Sequence, residues 1–290
     1  MINKILVCSD GSDHAIQSAR VAAAIARSPN SELTLLNVFD LAGATVPYMG
    51  QWGMMTDAVG FAQYAEVVQK DAVERTGMVL DLAGVKYKTI KEMGRPVDII
   101  VSVAERTDAG LIVLGSRGMT SWEALLLGSV ADGVVHYAHR PVLIVRGEKP
   151  RFERILLASD GSEASCRAAK LAEEMTNAFD ATLTILNVFE PAHEYPSVPQ
   201  GVLPVEAYSV NVIKEMRKAT LASIANCTAV SEVVQEQGHP AEAIVHYANE
   251  HNDDLIVMGS RGRGAFKSFL LGSVSNRTLH YANASVLIVH

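Results

Sequence analysis

Residues 110–129 read GLIVLGSRGMTSWEALLLGS, and residues 254–273 read DLIVMGSRGRGAFKSFLLGS. Each stretch opens on a short apolar run of Leu, Ile, Val and Met that is closed by a glycine. Each then reaches Arg-Gly and, nine residues further on, Gly-Ser, so the spacing Gly-x2-Gly-x9-Gly-Ser occurs twice, 144 residues apart. An unbroken apolar run of this length, bounded by glycine, predicts a strand buried on both faces. The Gly-Ser that opens GSVADGVVHYA and GSVSNRTLHYA predicts the start of a helix near Ser129 and Ser273.

Working outward, the same alternation fills the first half of the chain. KILVCS predicts a strand ended by Asp10-Gly11-Ser12, with Ser12 as N-cap of an alanine-rich helix running to about Ala26. ELTLLNVF is a second strand, followed by an irregular stretch from Asp40 to about Thr56 and a long helix to about Ala83. KYKTIKE is a third strand, turned by Gly94 into a helix that Pro96 opens and that runs to about Glu105. GLIVLGS and RPVLIVRG are the fourth and fifth strands, with a helix over about 129–138 between them. The second half repeats the order through RILLAS, TLTILNVF, VSEVVQE, DLIVMGS and SVLIVH.

The halves are copies. Asp10 matches Asp160 and Val38 matches Val188 at an offset of 150, whereas Gly94 matches Gly238 at 144. Six residues are therefore missing from the second copy after its second strand. A repeat this long is a domain rather than a solenoid unit. The boundary falls near RGEKPR, giving domains over 1–147 and 151–290. Apolar strands alternating with helices predict an α/β fold, with each half a doubly wound, five-stranded parallel sheet covered on both faces. The fifth strands would be apolar edges in isolated domains, which predicts that they pair to form a pseudo-dimer within the chain.

Ligands of such sheets bind outside the carboxyl ends of the strands, where strand order reverses. Gly115 and Gly259 close the fourth strands at that edge. Gly118 and Gly262 are expected to supply positive φ and close backbone approach. Gly128-Ser129 and Gly272-Ser273 open helices whose free N–H groups favour an anion. The serines can cap those helices or donate to a phosphate oxygen, and Arg117 and Arg261 can add charge-assisted bonds. The plainer alternative is a pair of turns and caps, which the repetition makes less economical.

Asp10-Gly11-Ser12 and Asp160-Gly161-Ser162 end the first strands in the same crevice. Each aspartate can hold a ribose hydroxyl or a metal ion such as Mg attached to phosphates, or else form an Asx turn. No Walker A sequence and no GxGxxG fingerprint occurs.

Together these motifs resemble the universal stress protein family, over essentially the whole chain as two fused copies. The resemblance implies an adenine nucleotide alpha hydrolase-like sandwich that binds ATP, or AMP or ADP, in a stress-response regulatory role. It places phosphates on the loop from Gly115 to Ser129 and Val130, with base and ribose near Asp10 and Val38. The matching second-half positions are Asp160, Val188, Gly259, Gly262, Gly272, Ser273 and Val274. Between the glycines the copies diverge: the first has Met119, Trp122 and Glu123, and the second has Arg263, Gly264 and Lys267. The more basic second loop predicts a stronger preference for triphosphate there.

The bulk properties narrow the alternatives. The chain has 290 residues, 20% charged and 49% hydrophobic, with a net charge of −7, which argues against nucleic acid or anionic lipid as partner. No apolar run is long enough to span a membrane, and no signal-peptide core precedes Asp10, so a cytoplasmic protein is expected. Cys8, Cys166 and Cys227 suggest reduced, packed thiols. His136 and His280 end matching helices and read as structural. The segments 43–60, with Met49, Trp52, Met54 and Met55, and 191–204 suit a lid, a partner patch or packing. A slow ATP hydrolase and a nucleotide-free scaffold stand as alternatives to the regulatory binder, because no base for an attacking water can be named. The protein partner is not legible, and further pairing of whole chains into a homodimer is left open.

Overall fold

The computed structural model describes residues 2–27, 30–40, 58–118, 127–189, 205–224, 230–262 and 271–290. The chain divides into two compact units, Met1–Arg151 and Phe152–His290. The first contains β1 (Lys4–Cys8), α1 (Asp13–Ile25), β2 (Glu32–Asp40), α2 (Ala58–Leu82), β3 (Tyr87–Gly94), α3 (Pro96–Arg106), β4 (Leu111–Gly115), α4 (Ser129–Tyr137) and β5 (Val142–Val145). The second contains β6 (Arg154–Ala158), α5 (Glu163–Phe179), β7 (Thr182–Phe189), α6 (Val205–Ser223), β8 (Val230–Gln237), α7 (Pro240–Glu250), β9 (Leu255–Gly259), α8 (Ser273–Tyr281) and β10 (Ser285–Val289).

Within the first unit the strand order is β3-β2-β1-β4-β5, every pair parallel. The second unit runs β8-β7-β6-β9-β10, again parallel throughout. The apolar runs form the middle of each sheet: Leu6, Val7, Ile112, Val113, Leu143 and Ile144 are wholly buried. In the outer strand β3, Lys88, Thr89, Lys91 and Met93 are exposed and no residue is fully buried, as suits a strand at the edge of the unit. Strand order reverses between β1 and β4, and between β6 and β9. Both sandwiches therefore carry the crevice that the doubly wound fold predicts.

The helix starts follow from local chemistry. Ser12 and Ser162 accept the N–H groups of Ala15 and Ser165, each at 3.3 Å, as N-caps of α1 and α5. Pro96 and Pro240 occupy the first turns of α3 and α7, where a missing N–H costs nothing. The strand expected over KYKTIKE continues to Gly94, because Asp40 and Gly94 still pair across β2 and β3. Gly94, at φ 150°, then makes the turn assigned to it. Among the described residues no helix is long and apolar enough to cross a membrane. Residues 41–57 and 190–204, where the irregular stretches were expected, lie outside the described residues.

Candidate functional site

The carboxyl end of β1 is built on a buried hydroxyl. Ser9 Oγ accepts the Gly11 N–H at 3.1 Å and pairs with Thr76 Oγ1 of α2 at 2.6 Å, while Thr76 donates to the Ala72 carbonyl at 2.8 Å. Asn37 Nδ2 on β2 donates to the Ser9 carbonyl at 2.8 Å. The second unit repeats this with Ser159 and Thr220 at 2.6 Å and Asn187 Nδ2 to the Ser159 carbonyl at 2.7 Å. Buried polar groups of this kind are costly unless paired, so the pairing fixes where the turn sits. Motif reading missed this network. The available signal was the same polar residue, inside apolar surroundings, at the two repeat offsets: 150 for Asn37 and Asn187, 144 for Thr76 and Thr220.

Each aspartate forms the Asx turn that was one of its sequence alternatives. Asp10 Oδ1 accepts the Ser12 N–H at 3.0 Å, and Asp160 Oδ1 accepts the Ser162 N–H at 3.0 Å, so both form Asx turns. The second carboxylate oxygen of each faces the glycine loop. A Cβ built on Gly118 would lie 2.6 Å from Asp10 Oδ2, and one built on Gly262 would lie 2.6 Å from Asp160 Oδ2. This corrects the reason for those glycines. Neither has left-handed backbone; each is small because a carboxylate occupies the space of its side chain. Left-handed φ belongs instead to Gly11 (82°) and Gly161 (70°), in the turns themselves.

The other glycines close the loop. A Cβ on Gly115 would meet the His14 carbonyl at 2.7 Å, and one on Gly259 would meet the backbone of Ala164 and Ser165 at 2.8 Å. The first turns of α1 and α5 therefore rest directly on the ends of β4 and β9. Gly128 N–H donates to the Ser116 carbonyl at 2.8 Å, and Gly272 N–H to the Ser260 carbonyl at 2.7 Å, drawing the two ends of each loop together.

A second correction concerns Ser129 and Ser273. They are the first residues of α4 and α8, not caps: Gly128 and Gly272 are the N-caps, in extended backbone and without any side chain to accept a first-turn N–H. The amides of Ser129, Val130, Ser273 and Val274 thus belong to helix starts with no capping side chain. Val38 and Val188, near the carboxyl ends of β2 and β7, are half-buried. Met119, Trp122, Glu123, Arg263, Gly264 and Lys267 lie outside the described residues.

Charge is distributed differently in the two units. Near Asp10 the first unit brings His14 and Arg117 together, and Arg146 lies near Arg117. Burial lowers the His14 pKa, with Arg117 acting in the same direction and Asp13 and Asp10 opposing. Burial and then Arg117 bring the Arg146 pKa down to about 10. The corresponding positions of the second unit are Ala164, Arg261 and His290. There Ser162 Oγ donates to the Arg261 carbonyl at 3.4 Å, and Arg167 Nε to the His290 carbonyl at 3.0 Å. Sequence reading placed the charge difference in the loops and missed His14 and Arg146, which only the topology brings together.

Other candidates have structural explanations. His136 and His280 bond through Nδ1 to the carbonyls of Asp132 and Asn276, at 2.9 and 2.8 Å, within their own helices. Among the described residues no three His, Cys, Asp or Glu side chains converge as a metal site. Cys8 is buried, which raises its thiol pKa. A groove of about 340 Å³ lined by Lys4, Glu32, Lys88 and Thr107 lies at the opposite, amino-terminal ends of β1–β3 and takes no part in the site.

Two such crevices on two doubly wound sandwiches define a class of α/β proteins built from matching tandem domains. The model of the universal stress protein family matches residues 1–146 and again 151–290, so the chain belongs to that family as a two-domain member. A universal stress protein of Mycobacterium tuberculosis is 26% identical over 98% of this chain and 95% of its own length. The crystal structure of a universal stress protein from Archaeoglobus fulgidus covers 100% of this chain and 98% of its own, with a TM-score of 0.70 at 23% identity, a likeness of fold. A universal stress protein crystallised in complex with cAMP aligns with 48% of this chain and 98% of its own, at 28% identity and a TM-score of 0.35.

Proposed function

We propose that each unit binds one adenine nucleotide and that the protein is a cytoplasmic regulator whose state follows the adenylate pool. Phosphates lie against the loops Gly115–Ser129 and Gly259–Ser273, at the amides of Val130 and Val274. Ribose and base lie toward Asp10 and Val38 in one unit, and toward Asp160 and Val188 in the other. The observation that carries this reading is the carboxylate oxygen held 2.6 Å from the missing Cβ of Gly118, and again of Gly262, beside a helix start without a capping side chain. A carboxylate accepts hydrogen bonds and repels anions, whereas helix N–H groups attract anions. Side by side, they suit a ligand with hydroxyl donors at one point and phosphate at the next. A ribonucleotide has both; free phosphate has only one. The choice of adenine follows family membership.

The test is equilibrium dialysis of ATP against nucleotide-free full-length protein. We expect close to two moles bound per chain. A value near zero at millimolar ATP would overturn the reading and leave turns that serve only packing.

A further inference from the structure

The two crevices share a backbone but not a charge. In the first unit, the carbonyl of His14 lies 2.7 Å from the Cβ position of Gly115, so the first turn of α1 abuts the end of β4. Arg117 stands two residues beyond Gly115. Arg146 directly follows β5, whose Val145 carbonyl accepts the Ser116 N–H at 3.1 Å. Three neighbouring points of backbone thus carry an imidazole and two guanidinium groups around the Asp10 turn. Arg117 adds to burial in disfavouring protonation of both His14 and Arg146, as a cation lying near each of them does. Guanidinium forks match phosphate geometry, and two of them at one sheet edge favour an anion of high charge density. The second unit has Ala164 and His290 at the matching places, so Arg261 is the one constant cation of the three; Arg167, which also reaches the end of β10, is ion-paired with Glu163 at 2.6 Å.

We propose that the first unit is the polyphosphate-selective site: Arg117 and Arg146, with His14 beside them, engage the distal phosphates of a nucleoside triphosphate. The second unit discriminates less between nucleotides of different phosphate number. This assignment rests on the nucleotide-binding reading above, and it opposes the order suggested by the basic residues Arg263 and Lys267 of the second loop. The scaffold ends of β4 and β5, rather than the variable loop, set the preference.

Calorimetric titrations of the full chain with ATP, AMP and inorganic tripolyphosphate, at fixed ionic strength, test it. Gly262→Val silences the second site and Gly118→Val the first, each variant first shown to unfold at the wild-type midpoint. The ATP-to-AMP affinity ratio should be at least tenfold larger in the Gly262→Val protein than in the Gly118→Val protein, with tripolyphosphate binding only the former. Adding Arg146→Met to Gly262→Val should lower ATP affinity about tenfold and AMP affinity less than threefold, and Arg146→Lys should recover part of the loss. Should a silencing variant fold poorly, Arg146→Met in the otherwise wild-type chain must change one of the two ATP-binding steps and not the other. Equal ratios, or a larger ratio at the second site, overturn the assignment while nucleotide binding stands. Absence of ATP and AMP binding at both sites overturns the nucleotide reading and this inference with it.

Discussion

Around Asp10 and Asp160 the two units repeat each other closely. The Asx turn is 3.0 Å in both, the buried hydroxyl pair 2.6 Å in both, and the asparagine bond 2.8 Å in one and 2.7 Å in the other. Around the ends of β5 and β10 they differ, with Arg146 in one unit and His290 in the other. A further difference lies at the far end of the sheets, where Ala109 of the first unit is matched by Asp253 of the second. The repetition is closest in the groups that hold the turn and the loop in place. The divergence falls on groups that set local charge. A duplicated domain can thus keep one binding geometry while the two copies acquire different electrostatic environments.

The largest expected effect breaks the repetition one copy at a time. Valine at Gly118 or Gly262 drives side-chain atoms into the aspartate carboxylate. It should reduce nucleotide affinity of its own unit about 100-fold, on the order of 3 kcal/mol, and halve the dialysis stoichiometry. Retention of two sites by either variant would show that the carboxylate is free to move away.

Next in size is the buried Asp253, whose side chain is 1% exposed and lies 3.6 Å from Arg154 Nε. Burial, only partly offset by Arg154 and His251, raises its pKa to about 6. A carboxyl with a raised folded-state pKa contributes stability that is fully present below the unfolded value and is lost as pH rises through 6. The second unit should therefore lose about 1–3 kcal/mol between pH 4 and pH 7, a loss with no counterpart at Ala109. Chemical denaturation of Asp253→Asn against wild type should show the variant more stable at pH 7.5 and no longer sensitive over that interval. A less stable variant at pH 7.5 would mean that the ionised form is held by Arg154 after all.

The smallest effect probes the shared scaffold. Ser9→Ala and Ser159→Ala each remove a buried hydroxyl from the turn and should each destabilise their unit by about 1 kcal/mol. Equal losses would confirm that the network does the same work in both copies. A loss in one unit alone would reveal a hidden difference.

Much of this was legible in the sequence. The apolar strands specified the sheets, because side chains buried on both faces leave an unbroken hydrophobic run, and Pro96, Pro240, Ser12 and Ser162 marked helix starts by local chemistry alone. Asp10, Asp160 and the loop glycines stood out by repetition. What was missed depends on proximity between distant segments. Thr76 resembles any polar helical residue until Ser9 lies beside it, and Arg146 resembles a strand-ending surface charge until Arg117 lies nearby. Gly118 was read as a matter of φ because a sequence shows neighbours along the chain but not the carboxylate across the crevice. Ser129 looks like a possible cap in the sequence because a one-residue shift in a helix start is beyond what local pattern resolves.

Gly11 and Gly161 carry a mechanical consequence. A Cβ on Gly11 would stand 2.9 Å from Ala72 Cα, and one on Gly161 2.7 Å from Met216 Cα, so each aspartate turn is seated on the main chain of α2 or α6 with no side chain between them. Side chains are the compliant part of a packed protein; a backbone-to-backbone seat has little give. Tilting the helix must tilt the turn with it, like two stones sharing one bed of mortar, and a push at either is transmitted with almost no slack.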